Sequence, residues 1–164
     1  FNRRGFELLS AQAIKHKPQH KRFCSIMAFD LDHFKSVNDA YGHSTGDDVL
    51  RVFANCLTEN TRSTDIVARF GGEEFVVLCV DVNHKDAKDM ANRIRESLAA
   101  LTMQSNIGTD FCITVSVGLV MIEEDHPDLS LYLKTADTAL YNAKAWGRNN
   151  VVTAELSPSP SVLV

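Results

Sequence analysis

The sequence predicts an α+β domain in which helices flank a central antiparallel sheet. The run Phe23–Leu31 is almost continuously apolar, which suits a strand buried on both faces. Two segments rich in Val, Ile and Phe meet at Gly71-Gly72, a pattern typical of a β-hairpin. The chain has 164 residues and is 45% hydrophobic, so it has the size and composition of one compact domain with a full core.

Each predicted element follows from a local pattern. Apolar residues with a period of 3.6 indicate helices, and apolar runs or apolar-polar alternation indicate strands. In chain order we predict a helix over Arg4–Lys15, a loop over His16–Arg22, a strand over Phe23–Leu31, a short helix over Phe34–Tyr41, a helix from Val49 to Leu57, hairpin strands over Asp65–Phe70 and Glu74–Val80, a helix from Ala87 to Leu101, a strand over Ile113–Leu119, a helix over Leu131–Ala145 and an edge strand over Asn150–Thr153. This order is typical of a palm or ferredoxin-like sheet.

Capping and turn residues indicate where several elements begin and end. Ser44 and Asp47 stand in capping-box spacing ahead of the helix that contains Val49. Pro18 closes the first helix region, and Gly147 can end the last helix. We expect the domain to occupy residues 1–154 and the tail at 155–164, which is rich in Ser and Pro from Ser157 onward, to be disordered.

The composition excludes several classes of function. A net charge of -4 argues against binding of nucleic acid or an anionic membrane, and no apolar run approaches the roughly 20 residues of a membrane span. The four cysteines are widely spaced and are expected to be small buried residues in a reducing cytoplasm: Cys24, Cys56, Cys79 and Cys112. The chain opens at Phe1 without Met, so we expect an upstream sensor or regulatory region.

Three carboxylates are predicted to come together at one edge of the sheet. Asp30 ends the first strand, and Glu73 with Glu74 follows the hairpin turn. If that strand lies beside the hairpin, their oxygens would form a site suited to Mg²⁺, and paired magnesium ions support nucleotidyl transfer. The alternative is that an exposed hairpin carries acidic residues for solubility alone.

Five ordered blocks of sequence stand out: Phe29–Asp39, Tyr41–Asp47, Arg69–Phe75, Ser116–Gly118 and Ala136–Asn149. In order and spacing they resemble the motifs of GGDEF domains, the catalytic domains of diguanylate cyclases. The resemblance extends from Asn2 to about Val152 and implies a fold similar to nucleotidyl cyclase catalytic domains. The signature reads Gly-Gly-Glu-Glu-Phe, a common variant. The DxLTGL segment usual before Asn2-Arg3-Arg4 is missing from this chain.

The resemblance implies a diguanylate cyclase that condenses two GTP into cyclic di-GMP and two pyrophosphates. By the same resemblance, the enzyme requires two Mg²⁺ ions per active site, for which Mn²⁺ can substitute. It also requires a homodimer in which each protomer holds one GTP. By resemblance, Asp30, the backbone carbonyl of Leu31, Glu73 and Glu74 hold the metal. Glu73 also helps to remove the 3′-hydroxyl proton, and Lys35 offsets charge that grows on the phosphates.

The same resemblance names the residues that bind the nucleotide. The guanine readers are Asn38, His43 and Asp47, and the phosphate binders are Lys35, Lys144 and Arg148. An amide and a carboxylate can pair with the guanine edge, which adenine does not match. Simpler roles stay open at this point: a turn residue at Asn38, a capping acid at Asp47, a packing residue at His43, a solvated lysine at Lys35 and a basic helix end at Lys144 and Arg148.

Arg62-Ser63-Thr64-Asp65 has the RxxD pattern at the family's distance from Gly71. The resemblance implies an inhibitory site for cyclic di-GMP at Arg62 and Asp65, which Arg93 completes, although RxxD also arises by chance. Two rival functions remain: a module that binds GTP or cyclic di-GMP without turnover, and a related cyclase that makes a mononucleotide or accepts ATP.

Overall fold

Five helices and seven strands make up the part of the chain that the structure describes. The computed structural model describes residues 1–15, 23–122 and 128–156. The helices are α1 (Arg3–Lys15), α2 (Phe34–Tyr41), α3 (His43–Asn60), α4 (His84–Ala99) and α5 (Leu129–Ala145). The strands are β1 (Cys24–Leu31), β2 (Ile66–Arg69), β3 (Glu74–Val80), β4 (Met103–Gln104), β5 (Asp110–Phe111), β6 (Val115–Ile122) and β7 (Val151–Ala154). The predicted loop at His16–Arg22 and residues 157–164 of the predicted disordered tail lie outside the described residues. The first two tail residues are described, and Leu156 packs against the core, so the disorder predicted for them is wrong.

One five-stranded sheet, in the order β2-β3-β1-β6-β7, forms the centre of the domain. Strand β1 lies in the middle, is antiparallel to both neighbours and is buried along its whole length, which confirms the prediction for Phe23–Leu31. The prediction of an antiparallel sheet holds for β1, β2, β3 and β6. It is wrong for the edge strand β7, which is parallel to β6 because α5 crosses over between them.

Two hydrophobic layers cover the two faces of the sheet. Alternate β1 residues divide between them, as the two-residue period of a strand requires. Met27 and Phe29 face the layer that contains α3 and α4. Ile26 and Ala28 face the layer that contains α1 and α5. Asp30 continues the second series, so its carboxylate lies on the side of the sheet that α5 covers.

Helix α5 lies in very close contact with β6 at Gly118. A Cβ atom at this position would overlap the backbone oxygen of Ala136 and the backbone nitrogen of Leu140. Only glycine allows the helix backbone to approach the strand so closely. The contact fixes the distance between α5 and the sheet, and therefore sets where the C-terminal end of α5 reaches the end of β1.

The start of α3 differs from the prediction. The helix begins at His43, so Ser44 and Asp47 lie inside it, and Gly42 occupies the N-cap position without a side-chain cap hydrogen bond. The predicted capping box and the role of Asp47 as a capping acid are therefore wrong. Gly42 alone separates α2 from α3, and its positive φ of 83° turns the chain directly from one helix into the next.

The segment between α4 and β6 also differs from the prediction. Helix α4 ends at Ala99, before Leu101, and β6 begins at Val115 instead of Ile113. Strands β4 and β5, which were not predicted, form a small hairpin here, with Met103 opposite Phe111. Cys112 follows this hairpin and is exposed, contrary to the prediction, whereas the other three cysteines are buried as expected. In the described ranges no helix has the length and apolarity needed to cross a bilayer.

Candidate active site

The antiparallel register of β1 and β3 brings the predicted carboxylates to one edge of the sheet. Asp30 lies directly opposite Glu74 on β3 and opposite Ser116 on β6. The backbone N–H of Leu31 donates to the carbonyl of Glu73, with N and O 3.4 Å apart. The sequence therefore correctly placed Asp30 beside the hairpin turn.

A cavity of about 220 Å³ lies at this edge. Its walls come from the end of β1, the start of α2, the hairpin turn and the end of α5. The lining residues are Asp30, Leu31, Asp32, His33, Phe34, Lys35, Ser36, Glu73, Lys144 and Arg148. The cavity thus combines carboxylates with three predicted phosphate-binding cations.

Glu74 faces a neighbouring space. Its carboxylate lies over Gly71, and the residue lines a second cavity together with Lys134 and Asp137 of α5. Among the described residues, no three His, Cys, Asp or Glu side chains converge into a ready-made metal site. Asp30, Asp32 and Glu73 are therefore the carboxylates of this cavity, and Glu74 lines the neighbouring one.

Asp30 is a buried carboxylate with one close cation. Its Oδ2 lies 2.7 Å from Nζ of Lys144, and only 6% of the residue is exposed. Burial raises the pKa of Asp30 above its usual value, the Lys144 ammonium lowers it, and the negative charge of Asp32 raises it again. Because burial dominates, the ionised carboxylate is under-compensated and would gain from a further cation.

The signature turn is held by Arg69, a residue to which the sequence reasoning gave no role. Its Nε donates to the carbonyl oxygens of Gly71 and Gly72 at 3.1 and 3.2 Å, and Nη2 donates to Gly72 at 2.8 Å. A planar guanidinium that binds two successive carbonyls fixes the turn that carries Glu73. Its place immediately before the turn was a signal that could have identified it.

Asp32 is a second residue without a predicted role. It is 3% exposed, and its carboxylate accepts hydrogen bonds from the hydroxyls of Thr114 and Ser116, both at 2.7 Å. It also accepts the backbone N–H of Asn149 at 3.0 Å. An acidic residue two positions after Asp30 was a sequence signal, because alternate strand residues share a face.

The predicted guanine readers lie at the junction of α2 and α3. Asn38 is packed against Gly46, where a Cβ atom would overlap the Asn38 side-chain oxygen. Asp47 is exposed and lines a larger cavity of about 530 Å³ that also contains Arg69. His43 is exposed at the first position of α3. The junction thus brings the Asn38 amide close to the helix segment that carries Asp47.

Lys144 and Arg148 line the same cavity but lie in different secondary-structure elements. Lys144 lies in the last turn of α5, which ends at Ala145, and Arg148 lies in the following turn. The alternative of a basic helix end therefore does not apply to Arg148, which lies beyond α5. Gly147, with a φ of 106°, and Arg148, with a φ of 63°, turn the chain so that Arg148 returns to the cavity.

The predicted inhibitory residues lie together near the C-terminal end of α3. Asp65 accepts the backbone N–H groups of Arg62 at 2.8 Å and of Val80 at 3.2 Å. Arg93 of α4 donates to the side-chain oxygen and the carbonyl oxygen of Asn60, at 3.0 and 3.1 Å. Asp65 and Arg93 therefore have structural partners, while the side chain of Arg62 is exposed.

A comparison with protein families identifies the architecture. The model of the family described as "Diguanylate cyclase, GGDEF domain" matches residues 1–150. The chain belongs to the GGDEF domain family. This GGDEF domain is 35% identical over 150 residues to the diguanylate cyclase DosC of Escherichia coli strain K12. The match covers 92% of this chain and 32% of DosC, so the chain spans about a third of that relative.

Solved GGDEF domains have the same fold. The GGDEF domain of YfiN from Pseudomonas aeruginosa is 32% identical with a TM-score of 0.88, over 96% of this chain and 98% of that one. The GGDEF domain of DgcB from Caulobacter crescentus, solved in complex with c-di-GMP, is 29% identical with a TM-score of 0.86, over 93% and 90% of the two chains. These similarities confirm the predicted α+β fold of the cyclase type.

Proposed function

We propose that this GGDEF domain is a diguanylate cyclase, which condenses two GTP molecules into cyclic di-GMP and two pyrophosphates. The observation that carries the proposal is the cavity in which Asp30 and Glu73 lie with Lys35, Lys144 and Arg148. Clustered cations next to paired carboxylates suit a metal-bound triphosphate. Similarity to DosC, which is named a diguanylate cyclase, supports the same activity.

The residues at the cavity fit magnesium. Asp30 and Glu73 would supply carboxylate oxygens and Leu31 its backbone carbonyl, with Glu74 close enough to take part. Magnesium in nucleotide enzymes usually binds one or two carboxylates plus substrate phosphates and water, so a preformed three-carboxylate cluster is not required. When bound, two Mg²⁺ ions, or Mn²⁺ in their place, would offset the charge of the triphosphate.

The chain's own residues would then position and balance the reaction. The 3′-hydroxyl oxygen of one GTP forms a bond to the α-phosphorus of the other as the bond to pyrophosphate breaks. Glu73 would accept the hydroxyl proton directly or through water, and Lys35 would stabilise charge on the phosphates. Lys144 and Arg148 would bind the β and γ phosphates of the leaving group.

Two facing protomers would complete the reaction. The cavity that contains Lys35, Lys144 and Arg148 has a volume of about 220 Å³, below the usual range for a drug-sized ligand, and we assign it the triphosphate of a single GTP. In a homodimer, each bound GTP would present its 3′-hydroxyl to the α-phosphate held by the other protomer. Two such attacks would close the ring. Because GTP is a cytoplasmic metabolite, we also propose a cytoplasmic location.

Incubation with GTP and Mg²⁺ tests the proposal. The domain, concentrated or fused to a dimeric coiled coil, is expected to convert GTP into cyclic di-GMP and pyrophosphate, as resolved by chromatography. ATP should give no cyclic product, because Asn38 and Asp47 match the donors and acceptor of the guanine edge. Glu73→Gln, which keeps the shape and removes the charge, is the inactive control.

Each other outcome of this assay has a defined meaning. GTP binding without product at high concentration and in the fused dimer would contradict the enzymatic proposal and favour the binding module. A cyclic mononucleotide, or equal turnover of ATP, would favour the related cyclase instead.

We further propose that cyclic di-GMP inhibits the enzyme at Arg62, Asp65 and Arg93. The exposed Arg62 guanidinium can stack on guanine and bind phosphate. Arg62→Ala is expected to weaken cyclic di-GMP binding by about 10- to 100-fold, since a charge-assisted contact contributes roughly 1.5–3 kcal/mol. Calorimetry on the Glu73→Gln background avoids turnover. Arg4→Ala, at another exposed arginine, is the matched control, and equal affinities for the two variants would contradict the site.

A further inference from the structure

The turn that carries Arg148 has an unusual backbone. Gly147, Arg148 and Asn149 have φ angles of 106°, 63° and 45°. Two consecutive non-glycine residues in the left-handed region are uncommon, and such a conformation persists only where surrounding contacts maintain it. The contacts that hold this turn therefore determine where the Arg148 side chain lies.

Two side chains from distant parts of the fold bind Asn149, one at its backbone and the other at its side chain. Asp32 accepts its backbone N–H at 3.0 Å. Arg95 of α4 donates from Nη1 to its side-chain oxygen at 3.1 Å. Both partners are well anchored: Asp32 is 3% exposed, and the Arg95 side chain is 17% exposed.

The next residue completes the attachment of the turn. The Asn150 side chain donates to the carbonyl oxygens of Ala143 and Arg148, both at 3.0 Å. The carbonyl of Asn150 accepts the backbone N–H of Val117 at 3.0 Å, which joins the turn to β6. These hydrogen bonds attach the turn to α5 and to the sheet through Asn150. Asp32 and Arg95 bind the turn one residue earlier, at Asn149.

We infer that Asp32 and Arg95 are positioning residues that hold Asn149 and thereby orient Arg148 toward the phosphates of the nucleotide. This inference rests on the proposed function, because it assigns Arg148 to the triphosphate. Asp32 does not need to touch the substrate: its three hydrogen bonds to Thr114, Ser116 and Asn149 link the turn to β6 and to the residue before that strand. The two residues act by limiting the directions that Arg148 can take.

The test compares two nucleotides that differ in their phosphates. The ligands are 3′-deoxy-GTP, which lacks the attacking hydroxyl and cannot react, and GMP, which lacks the β and γ phosphates. Binding is measured by calorimetry with Mg²⁺ for Asp32→Ala, Asn149→Gly and Arg95→Met. Asn149→Gly retains access to the left-handed backbone and removes only the side-chain contact.

Each variant is expected to bind 3′-deoxy-GTP about 10-fold more weakly and to bind GMP as the unchanged domain does. On an Arg148→Ala background, Asn149→Gly and Arg95→Met should have no additional effect, because the side chain that they orient is then absent. Asp32→Ala also removes a charge beside Asp30, so Asn149→Gly and Arg95→Met decide this comparison. Lys88→Met, at an exposed residue of the same helix as Arg95, is the matched control. Circular dichroism and thermal unfolding check that each variant folds. If Asp32→Ala does not fold, Asn149→Gly still tests the inference.

Several results would overturn the inference. Equal loss of affinity for both nucleotides would indicate a general structural role, as would an effect that persists on the Arg148→Ala background. A domain that binds 3′-deoxy-GTP no better than GMP before any substitution would contradict the phosphate role of Arg148. Absence of cyclic di-GMP in the turnover assay, with these binding differences intact, would instead contradict only the cyclase activity.

Discussion

Asp30→Asn is expected to abolish cyclase turnover and to make the metal-free domain more stable. Loss of a residue that only supports a metal ligand commonly lowers activity 10- to 100-fold, so loss of a direct ligand should lower it by at least about 100-fold. Stability should rise because burial raises the pKa of Asp30 despite its contact with Lys144. The folded protein thus bears an unfavourable negative charge that asparagine removes, and Lys144, with a side chain 34% exposed, stays solvated.

The pH dependence of this effect has a definite sign. A carboxylate with a raised pKa binds more protons when folded than when unfolded, so stability falls as pH rises from the ordinary value of 3.8 through the raised value. The difference in Tm between Asp30→Asn and the unchanged domain should therefore be present at neutral pH and disappear below that window. Thermal unfolding without metal, from acid to neutral pH, measures it.

Added Mg²⁺ provides the control. It should raise the Tm of the unchanged domain by mass action and leave that of Asp30→Asn unaffected. A variant that is less stable than the unchanged domain at neutral pH would show that the pairing with Lys144 outweighs burial, and would contradict the electrostatic account of the site.

Gly118→Ala is expected to destabilise the fold by about 3 kcal/mol, because the new methyl group would overlap backbone atoms of Ala136 and Leu140 that cannot rotate away. For a domain of this size the loss corresponds to a fall in Tm of roughly 6 to 12 °C. The same substitution should reduce activity, since movement of α5 displaces Lys144 from Asp30. Thermal and urea unfolding measure the stability change.

Gly72→Ala is the matched control for Gly118→Ala. A Cβ atom at Gly72 meets nothing within 4 Å, so its unfolding free energy should stay within about 1 kcal/mol of the unchanged domain. Similar losses at the two positions would mean that glycine is not required for the contact between α5 and β6.

The sequence predicted best those features that local pattern determines. Strand β1 and the hairpin at Gly71-Gly72 have strong apolar runs, and their pairing follows because a buried strand must lie inside the sheet. The start of α3 was predicted wrongly, because one glycine with a positive φ joins two helices and the Ser44 spacing imitated a cap. The hairpin of β4 and β5 was missed because each strand has two residues and no periodicity.

The attachment of the Arg148 turn was beyond local reasoning. Asp32 contacts Thr114, Ser116 and Asn149, which lie 82, 84 and 117 residues further along the chain. No pattern within a window of sequence links such residues; only the register of β1, β6 and β7 brings them together. The burial of Asp30 against Lys144 likewise depends on how closely α5 approaches Gly118.

The parallel pairing of β7 with β6 sets the order in which the site is completed during synthesis. A ribosome makes Asp30, Asp32 and Glu73 first, yet the turn with Arg148 is joined to the sheet only when Asn150 and β7 pair with β6. The carboxylates therefore exist first in a chain that cannot yet hold a triphosphate firmly. A chain that ends before Asn149 lacks the contacts that hold this turn, and it is expected to bind the phosphates of GTP more weakly.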